Sequence, residues 1–393
     1  MRVLFVVPPL TGHVNPTVSV AQALTARGHQ VAWVAHPGAV RPLLPADATL
    51  LPLDDRVPQA LQAEMVERAR ATRGLAALKF LWEDFLLPLA RAMVPGVEAA
   101  VESWRPDLLV VDQQALAGGI VARRRGLPWA TFATTSAGVS SPLAGLPKVQ
   151  EWLDQQLLDL QQSHGLPAVP SPDLSPLAVV VFSTAALMGP VALPPSVHLV
   201  GPAFVDRPDR AGFPWDRLST VHPRLLVSLG TVNAERGARF YRVVVQALAD
   251  QPVQVILAAP PEVVGPVPDA WIVQPWLPQV RLLSHVQAVI GHGGHNTTCE
   301  ALARGLPLVV APIRDDQPVV AEQVVAAGAG LRVRFGRVGP DELRAAVQRV
   351  LHEPGFRDAA ARIADSFAAA GGAEAAARAL ETLVVERLQP ASS

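Results

Sequence analysis

The stretch AVIGHGGHNTTCEALARGLPLVVAPIRDDQP, residues 288–318, has the pattern of a strand, a helix and a second strand. Its first apolar residues are typical of a strand buried in a parallel sheet, and GHGG predicts a tight turn. Residues 297–304 have a helical pattern that ends at Gly305, and residues 308–311 predict the next strand. This order indicates an α/β fold with a parallel sheet.

The start of the predicted helix has the features of an anion-binding site. Gly294 allows a ligand to approach the backbone, and Asn296 and Thr297 place small polar side chains in the first helical turn. Helix N-termini favour negative charge because their N–H groups point outward. His292, in the turn before the helix, adds a further donor.

Neighbouring residues predict sites for the other parts of a nucleotide sugar. Glu300 lies one turn into the helix, where its two carboxylate oxygens suit the hydroxyls of a ribose. Asp316 beside Gln317 suits a pair of sugar hydroxyls, and Trp276 upstream offers an aromatic surface for a base. Base, ribose, diphosphate and hexose thus each have a matching residue type.

The alternation of strand and helix extends across the rest of the 393-residue chain. Further strand patterns occur at residues 3–7, 30–35, 107–111, 129–133, 178–182, 224–228, 253–258 and 271–273. A polar, proline-rich segment at 201–217 interrupts them. We therefore predict two doubly wound α/β domains, with an N-terminal domain at 1–205, a linker at 206–217, a C-terminal domain at 218–372 and a final helix at 373–393.

Composition excludes several classes of protein. Half of the residues are hydrophobic and 17% are charged, which predicts a folded chain with a large core. The net charge of −1 argues against nucleic acid or an anionic membrane as a partner, and the single cysteine, Cys299, predicts no internal disulfide. No segment approaches the ~20 apolar residues of a membrane-spanning helix, and the run at 3–7 fits a buried strand better than a secretory signal. We expect a cytoplasmic protein without stable membrane insertion.

Several motifs follow one another along the chain: TGHVNP at 11–16, Leu229-Gly230-Thr231, Trp276-x-Pro278-Gln279, His292-x-Gly294-x-Asn296-Thr297-x-x-Glu300, Gly305-x-Pro307, Pro312 and Asp316-Gln317. From Trp276 onward they resemble the C-terminal signature of UDP-sugar-dependent glycosyltransferases that act on small molecules. That family includes plant natural-product enzymes and bacterial antibiotic, macrolide and carotenoid glycosyltransferases. The first two motifs resemble the family's GHxNP loop and its hydroxyl-bearing diphosphate loop.

The resemblance implies a GT-B fold, in which two Rossmann-like domains face each other across a cleft. The N-terminal domain would bind the acceptor and the C-terminal domain the donor, and the final helix would cross back to the N-terminal domain. It implies donor contacts at Gly230, Thr231, Trp276, Leu277, Gln279, His292, Gly294, Asn296, Thr297, Glu300, Asp316 and Gln317.

The resemblance also places the chemistry in the N-terminal half. His13 lies in the predicted loop 8–16, between the strand at 3–7 and a predicted helix at 17–27. Histidine suits the removal of a proton from an acceptor hydroxyl, and Asp112 resembles the family's partner carboxylate. We predict one-step transfer that inverts the anomeric centre. No metal site and no cofactor are expected, because no DxD cluster with cation-ligand spacing is present.

Glu300 favours UDP over dTDP, and the Asp316-Gln317 pair favours glucose. Two other functions remain as alternatives: an antibiotic glycosyltransferase that uses a dTDP-deoxysugar, and a GT-B epimerase that binds a UDP-sugar. A non-catalytic helper protein is a further class, although such a chain would be expected to lose His13 or the phosphate loop. An apolar helical stretch at 75–89, with Phe80, Trp82 and Phe85, and a small-residue segment at 136–146 predict a hydrophobic small-molecule acceptor. We expect a monomer or homodimer.

Overall fold

The computed structural model describes residues 1–54, 74–139, 145–204, 212–230 and 237–388. The chain divides into two compact units. The first unit combines Met1–Phe182 with Ala192–Val205 and the final segment from Ala370, and the second combines Ser183–Val191 with Asp206–Ala369. Parts of the predicted linker and of the segments 64–100, 136–146 and 373–393 lie outside the described residues.

The strands, in chain order, are β1 (Arg2–Val6), β2 (Gln30–Ala35), β3 (Thr49–Pro52), β4 (Leu108–Asp112), β5 (Trp129–Ala133), β6 (Val179–Val181), β7 (Val197–Leu199), β8 (Arg224–Ser228), β9 (Gln254–Ala258), β10 (Ile272–Gln274), β11 (Ala288–Gly291), β12 (Leu308–Val310) and β13 (Gly330–Arg332). The α-helices are α1 (Thr11–Ala26), α2 (Pro37–Val40), α3 (Leu75–Phe80), α4 (Leu87–Trp104), α5 (Leu116–Arg125), α6 (Pro147–Ser163), α7 (Ala185–Met188), α8 (Ala238–Leu248), α9 (Pro261–Val264), α10 (Gln279–Leu282), α11 (His295–Leu302), α12 (Gln317–Ala326), α13 (Pro340–His352), α14 (Pro354–Ala370) and α15 (Gly372–Leu388). A π-helical segment, Leu81–Leu86, joins α3 to α4, and short 3₁₀ helices occur at Arg41–Leu43, Ser136–Val139, Trp215–Arg217 and Leu283–His285.

Each unit contains one parallel sheet. In the described residues the first sheet has the strand order β3-β2-β1-β4-β5-β6-β7, and the second has the order β10-β9-β8-β11-β12-β13. Both orders are doubly wound, so helices cover both faces and the central strands are buried on both sides. The buried strands β4 and β5 are accordingly almost continuous runs of apolar residues. The predicted α/β class is therefore confirmed.

Helix α1 begins earlier than the sequence pattern indicates. Gly12 and Pro16 are typical of loops, and on that basis the sequence predicts a loop up to residue 16. In the structure α1 begins at Thr11 and Pro16 lies inside it. Pro16 lies in the second turn and has no N–H to donate, yet the helix continues through it to Ala26. His13 consequently lies in the first turn of α1, on a regular element rather than a loop.

The final helix, α15, packs on α1 within the first unit. Arg27 at the end of α1 donates to the Glu381 carboxylate at 2.6 and 2.9 Å, and His29 Nε2 lies 2.7 Å from the same group. Buried alanine and leucine side chains of α15 join the core that lies under β1 and β4. Within the described residues, no helix is both long and apolar enough to cross a membrane.

Candidate active site

The carboxyl ends of β1 and β4 bring His13 and Asp112 together. The two strands are neighbours in the parallel sheet, with Val6 opposite Val111, so the residues after them lie at the same edge. This is also the point where the strand order reverses, which is where sheets of this class bind ligands. His13 Nδ1 lies 3.0 Å from both carboxylate oxygens of Asp112.

The environment of this pair fixes the orientation of the imidazole. The Asp112 side chain is completely buried, whereas 17% of the His13 side chain is exposed. Asp112 also accepts a hydrogen bond of 2.9 Å from the Gln114 backbone N–H. A carboxylate beside Nδ1 favours the tautomer in which Nδ1 carries the proton, so Nε2 carries the lone pair that can accept one.

Thr134 completes the group, and the sequence analysis did not identify it. Its hydroxyl lies 2.9 Å from Asp112 Oδ2, to which it can donate, and its oxygen lies 2.8 Å from His13 Nδ1. The side chain is buried, and Thr134 directly follows β5, the neighbour of β4. A polar residue directly after a buried strand is the signal in the sequence that could have identified Thr134.

A second polar group holds the loops beside this pair. The Gln113 side-chain amide donates to the Gly138 carbonyl at 3.3 Å and to Asp173 at 3.0 Å. Burial raises the pKa of Asp173, and the hydrogen bond from Gln113 partly offsets that shift. The Gln113 side chain lies so close to Gly138 that any larger residue there would clash with it. Gln113 thereby ties the turn that leads into 140–144 to the end of β4.

The aromatic residues predicted to line an acceptor pocket have different environments. Phe80 and Phe85 are both buried, and Phe85 belongs to a core cluster of the first unit. Trp82 is only partly buried and packs against the same core. It lies in the π-helical segment, a type of distortion that is frequent at functional sites. Residues 140–144 of the other predicted segment lie outside the described residues.

In the second unit, too, predicted site residues follow the two strands between which the strand order reverses, β8 and β11. Gly230 follows β8, and the turn from His292 to Gly294 follows β11 and leads into α11. A Cβ at Gly230 would lie 2.8 Å from the His292 ring, and one at Gly294 would lie 2.5 Å from His292 Nε2. Both positions therefore require glycine, because the imidazole fills the space between two loops.

His292 is a buried imidazole at the start of α11. It is 8% exposed, and its Nδ1 has no hydrogen-bond partner among the described residues. Burial lowers the pKa of His292, while the Ser228 backbone and the Asp316 carboxylate partly oppose that shift. A neutral imidazole with an unpartnered buried nitrogen, beside a helix N-terminus, is suited to receive a polar ligand atom.

Glu300 and Gln279 form a buried polar pair on the same side of α11 as Thr297. The Gln279 amide donates to Glu300 Oε2 at 2.5 Å and to Thr297 Oγ1 at 3.3 Å. Glu300 is 2% exposed. The structure thus brings together three residues that the sequence resemblance assigned to the donor, and Gln279 holds one carboxylate oxygen of Glu300 in place.

The loop after β12 contains the predicted sugar-binding residues. Asp315 has a positive φ of 56°, which is unusual for a residue other than glycine and is found mainly at functional sites. The Gln317 Oε1 atom accepts hydrogen bonds from the backbone N–H groups of Ile313 and Arg314 at 2.9 and 3.1 Å. Gln317 therefore shapes its own loop through its oxygen, which leaves its amide nitrogen as the group that can face a ligand.

The remaining predicted donor residues have different environments. Trp276 is partly exposed and directly precedes Leu277, which is buried in the core of the second unit. The sequence analysis assigned Leu277 to the nucleotide, but its side chain belongs to that core. Asn296 lies in the first turn of α11, and Thr231 lies outside the described residues.

Among the described residues, no cluster of three or more His, Cys, Asp or Glu side chains could hold a metal ion.

Comparison with known proteins agrees with this geometry. Residues 218–366 match the family described as "UDP-glucoronosyl and UDP-glucosyl transferase". The chain is 32% identical to 4'-demethylrebeccamycin synthase of Lentzea aerocolonigenes, over 98% of this chain and 99% of that protein. It is 28% identical to demethyllactenocin mycarosyltransferase of Streptomyces fradiae, over 98% of this chain and 86% of that protein.

A solved structure gives the same result for the fold. The crystal structure of the glycotransferase of kitacinnamycin superimposes with a TM-score of 0.79 at 26% identity, over 98% of this chain and 99% of that one. The predicted GT-B class, with two Rossmann-like domains, is therefore confirmed.

Proposed function

Because the chain belongs to the UDP-glucoronosyl and UDP-glucosyl transferase family and is a small-molecule glycosyltransferase, we propose that it is an inverting glucosyltransferase. Its donor is UDP-glucose, and its acceptor is a hydroxyl of a hydrophobic small molecule. His13 is the general base and Asp112 its partner. The observation that carries this assignment is the contact of His13 Nδ1 with both oxygens of a fully buried Asp112.

In this reaction the acceptor hydroxyl attacks the anomeric carbon while His13 Nε2 removes its proton. The bond from the anomeric carbon to the phosphate oxygen breaks, and its electron pair leaves with UDP. The imidazolium that forms is stabilised by Asp112, which does not itself take the proton. A displacement in one step inverts the anomeric centre, so an α-linked donor yields a β-glycoside. A positioned base of this kind contributes roughly 10²–10⁴ in rate.

The second unit supports the departure of UDP. The leaving diphosphate gains negative charge as the bond breaks, and the N-terminus of α11 offers a partial positive charge of roughly half a unit. His292, with an unpartnered buried nitrogen beside this helix, supplies a further polar contact. Gly230 and Gly294 leave room for the His292 ring, which places this imidazole beside the helix N-terminus. We propose that these groups act without a metal ion or a cofactor.

The donor assignment rests on Glu300. Its carboxylate is buried and accepts a hydrogen bond from Gln279, so it is held in place on α11, and a carboxylate oxygen can also accept a hydrogen bond from a ribose hydroxyl. A ribose offers two hydroxyls and a deoxyribose one, which favours UDP over dTDP. Asp316 and the Gln317 amide nitrogen would bind hydroxyls of the hexose, with glucose as the best match, and Trp276 would stack on the uracil.

A second donor is also supported. One relative carries the name of a mycarosyltransferase, so a sugar other than glucose is the alternative for the same site, and a dTDP-deoxysugar is the donor that the sequence left open. The reaction class and the roles of His13 and Asp112 would be unchanged.

The experiment that tests the proposal has two stages. A panel of UDP- and dTDP-sugars is first screened for donor hydrolysis by the purified chain. The active donor is then offered with a panel of hydrophobic alcohols, oligosaccharides and a protein, and products are read by mass spectrometry. Transfer of one hexose from UDP-glucose to hydrophobic alcohols supports the proposal. Transfer to sugars or protein alone would contradict it.

A further inference from the structure

The segment of residues 212–219, which we call the strap, lies against the proposed nucleotide site of the second unit. Phe213 is buried in the same cluster as Leu277 and Leu282, the residues on either side of the start of α10. Trp215 follows in a 3₁₀ helix and packs against the edge of this cluster. Phe213 and Trp215 therefore add apolar side chains to the cluster that contains Leu277, the residue after Trp276.

Trp215 is the centre of a cluster of aromatic and cationic side chains. Its ring lies 4.6 Å from the Phe213 ring in an edge-on arrangement and 5.2 Å from the His285 ring. The Arg281 guanidinium carbon lies 4.7 Å from the centre of the Trp215 ring. Arg281 belongs to α10 and His285 to the 3₁₀ helix that follows it. Trp215 thus contacts both short helices that follow Trp276: α10, which begins at Gln279, and the 3₁₀ helix after it.

The other end of the strap is bound to the residues before β10. The Arg217 guanidinium donates to the Asp269 and Trp271 carbonyls at 2.7 and 3.1 Å. The buried Gln254 amide donates to the Arg217 and Ala270 carbonyls at 2.8 and 2.7 Å. Strand β10 leads from these residues to Trp276. The strap consequently contacts both elements that flank the turn at Trp276. Arg217 binds the residues that precede β10, and Trp215 contacts α10.

We propose that Trp215 is a positioning residue for the nucleotide. By holding Arg281 in α10 and His285 in the 3₁₀ helix that follows, it fixes α10, so that Gln279 at its start and Trp276 before it are already oriented for the ribose and the base before the donor binds. Preorganisation of this kind increases affinity, because less ordering remains to be done on binding. The inference rests on the proposed function, since it takes the turn at Trp276 to be the nucleotide site.

The test measures UDP and dTDP binding by calorimetry for the wild type and for Trp215→Ala, Trp215→Phe and Arg281→Gln. We expect Trp215→Ala to raise the Kd for the preferred nucleotide about fivefold to tenfold, from the loss of aromatic and cation–π contacts. The KM for the donor should rise with it, and kcat should stay within about twofold, because the acceptor-side base is untouched. Trp215→Phe keeps an aromatic ring and should recover most of the affinity. Arg281→Gln, which removes the guanidinium over the Trp215 ring, should also raise the Kd.

The matched control is Trp104→Ala. Trp104 in the first unit is also partly buried and carries a guanidinium, that of Arg2, 4.8 Å from its ring centre. Its loss should leave the Kd for UDP unchanged. An unchanged Kd in Trp215→Ala, or an equal rise in Trp104→Ala, would overturn the inference while the proposed function stood. A wild-type chain that bound neither nucleotide would overturn the proposed function itself.

Discussion

The Gln279 amide and the Glu300 carboxylate are joined by a hydrogen bond of 2.5 Å, and Glu300 is almost completely buried. This bond holds the carboxylate in one orientation, and a carboxylate can accept further hydrogen bonds, including those from ribose hydroxyls. This relationship is the structural basis for assigning Glu300 to the ribose. It also ties Gln279, three residues after Trp276, to α11, the helix proposed to face the diphosphate.

Glu300→Ala is therefore expected to weaken UDP binding about tenfold or more, since hydrogen bonds to charged groups are worth ~1.5–3 kcal/mol. The preference for UDP over dTDP should narrow in parallel, because the variant no longer distinguishes one ribose hydroxyl from two. Calorimetric titration with both nucleotides checks this. The control is Glu322→Ala, which removes an exposed carboxylate paired with Arg332 elsewhere in the second unit. Unchanged UDP affinity in Glu300→Ala would show that Glu300 has only a structural role and does not bind the ribose.

Thr134→Val should lower kcat about tenfold while leaving UDP binding as it is. The substitution keeps the shape of the side chain but removes the hydroxyl that contacts both Asp112 and His13. Asp112 would lose a hydrogen bond worth ~1.5–3 kcal/mol, and the orientation of the imidazole would loosen. Thr134→Ser restores the hydroxyl and should restore turnover. Equal turnover in the valine and serine variants would mean that the hydroxyl does not position the base.

Glu381→Gln should destabilise the first unit at neutral pH by about 1 kcal/mol, the scale of a partly exposed ion pair in a small network. Hydrogen bonds from Arg27, together with His29, lower the pKa of Glu381 to about 2 from its ordinary 4.5. A carboxyl whose pKa is lower in the folded state stabilises the fold above about pH 4.5, and that contribution is lost as the pH falls toward 2.

The difference between wild type and Glu381→Gln in urea unfolding should accordingly shrink below pH 4.5. Glu322→Gln, which removes one partner of the exposed pair with Arg332, provides the comparison and should show little effect at any pH. A stability difference for Glu381→Gln that stays constant from pH 7 down to the acid limit of folding would contradict the ion-pair explanation.

Turnover should survive EDTA, because the helix N-terminus and His292 are proposed to do the work that a cation does in metal-dependent transferases. Initial rates with and without the chelator, followed by addition of Mg²⁺ or Mn²⁺, test this. Loss of activity on chelation with recovery on either metal would show that the leaving group is stabilised by an ion.

The sequence predicted most of the fold because its strands are buried on both faces and therefore appear as continuous apolar runs. It assigned His13 and Asp112 as base and partner, and the structure brings them within 3.0 Å because β1 and β4 end at one edge of the sheet. It was wrong about the start of α1, where Gly12 and Pro16 are typical of a loop but the chain is already helical.

Other features depend on contacts that no local pattern contains. Phe80 and Phe85 are predicted from sequence to line a pocket, yet whether an apolar helical face meets a ligand or the core is decided by tertiary packing, and here it meets the core. Gln317 is predicted, with Asp316, to bind a pair of sugar hydroxyls, and no sequence pattern shows that its side-chain oxygen accepts hydrogen bonds from the backbone of Ile313 and Arg314. The contacts of Trp215 with Arg281 and His285 join residues far apart in sequence.

The central claim is that His13 removes the acceptor proton, and the most direct measurement is the turnover of His13→Ala with an alcohol acceptor, set beside its affinity for UDP. The proposed function predicts a fall in kcat of about 10²-fold or more, because general-base catalysis contributes on that scale, with UDP binding unchanged because His13 lies in the first unit. Near-normal turnover of His13→Ala would contradict it.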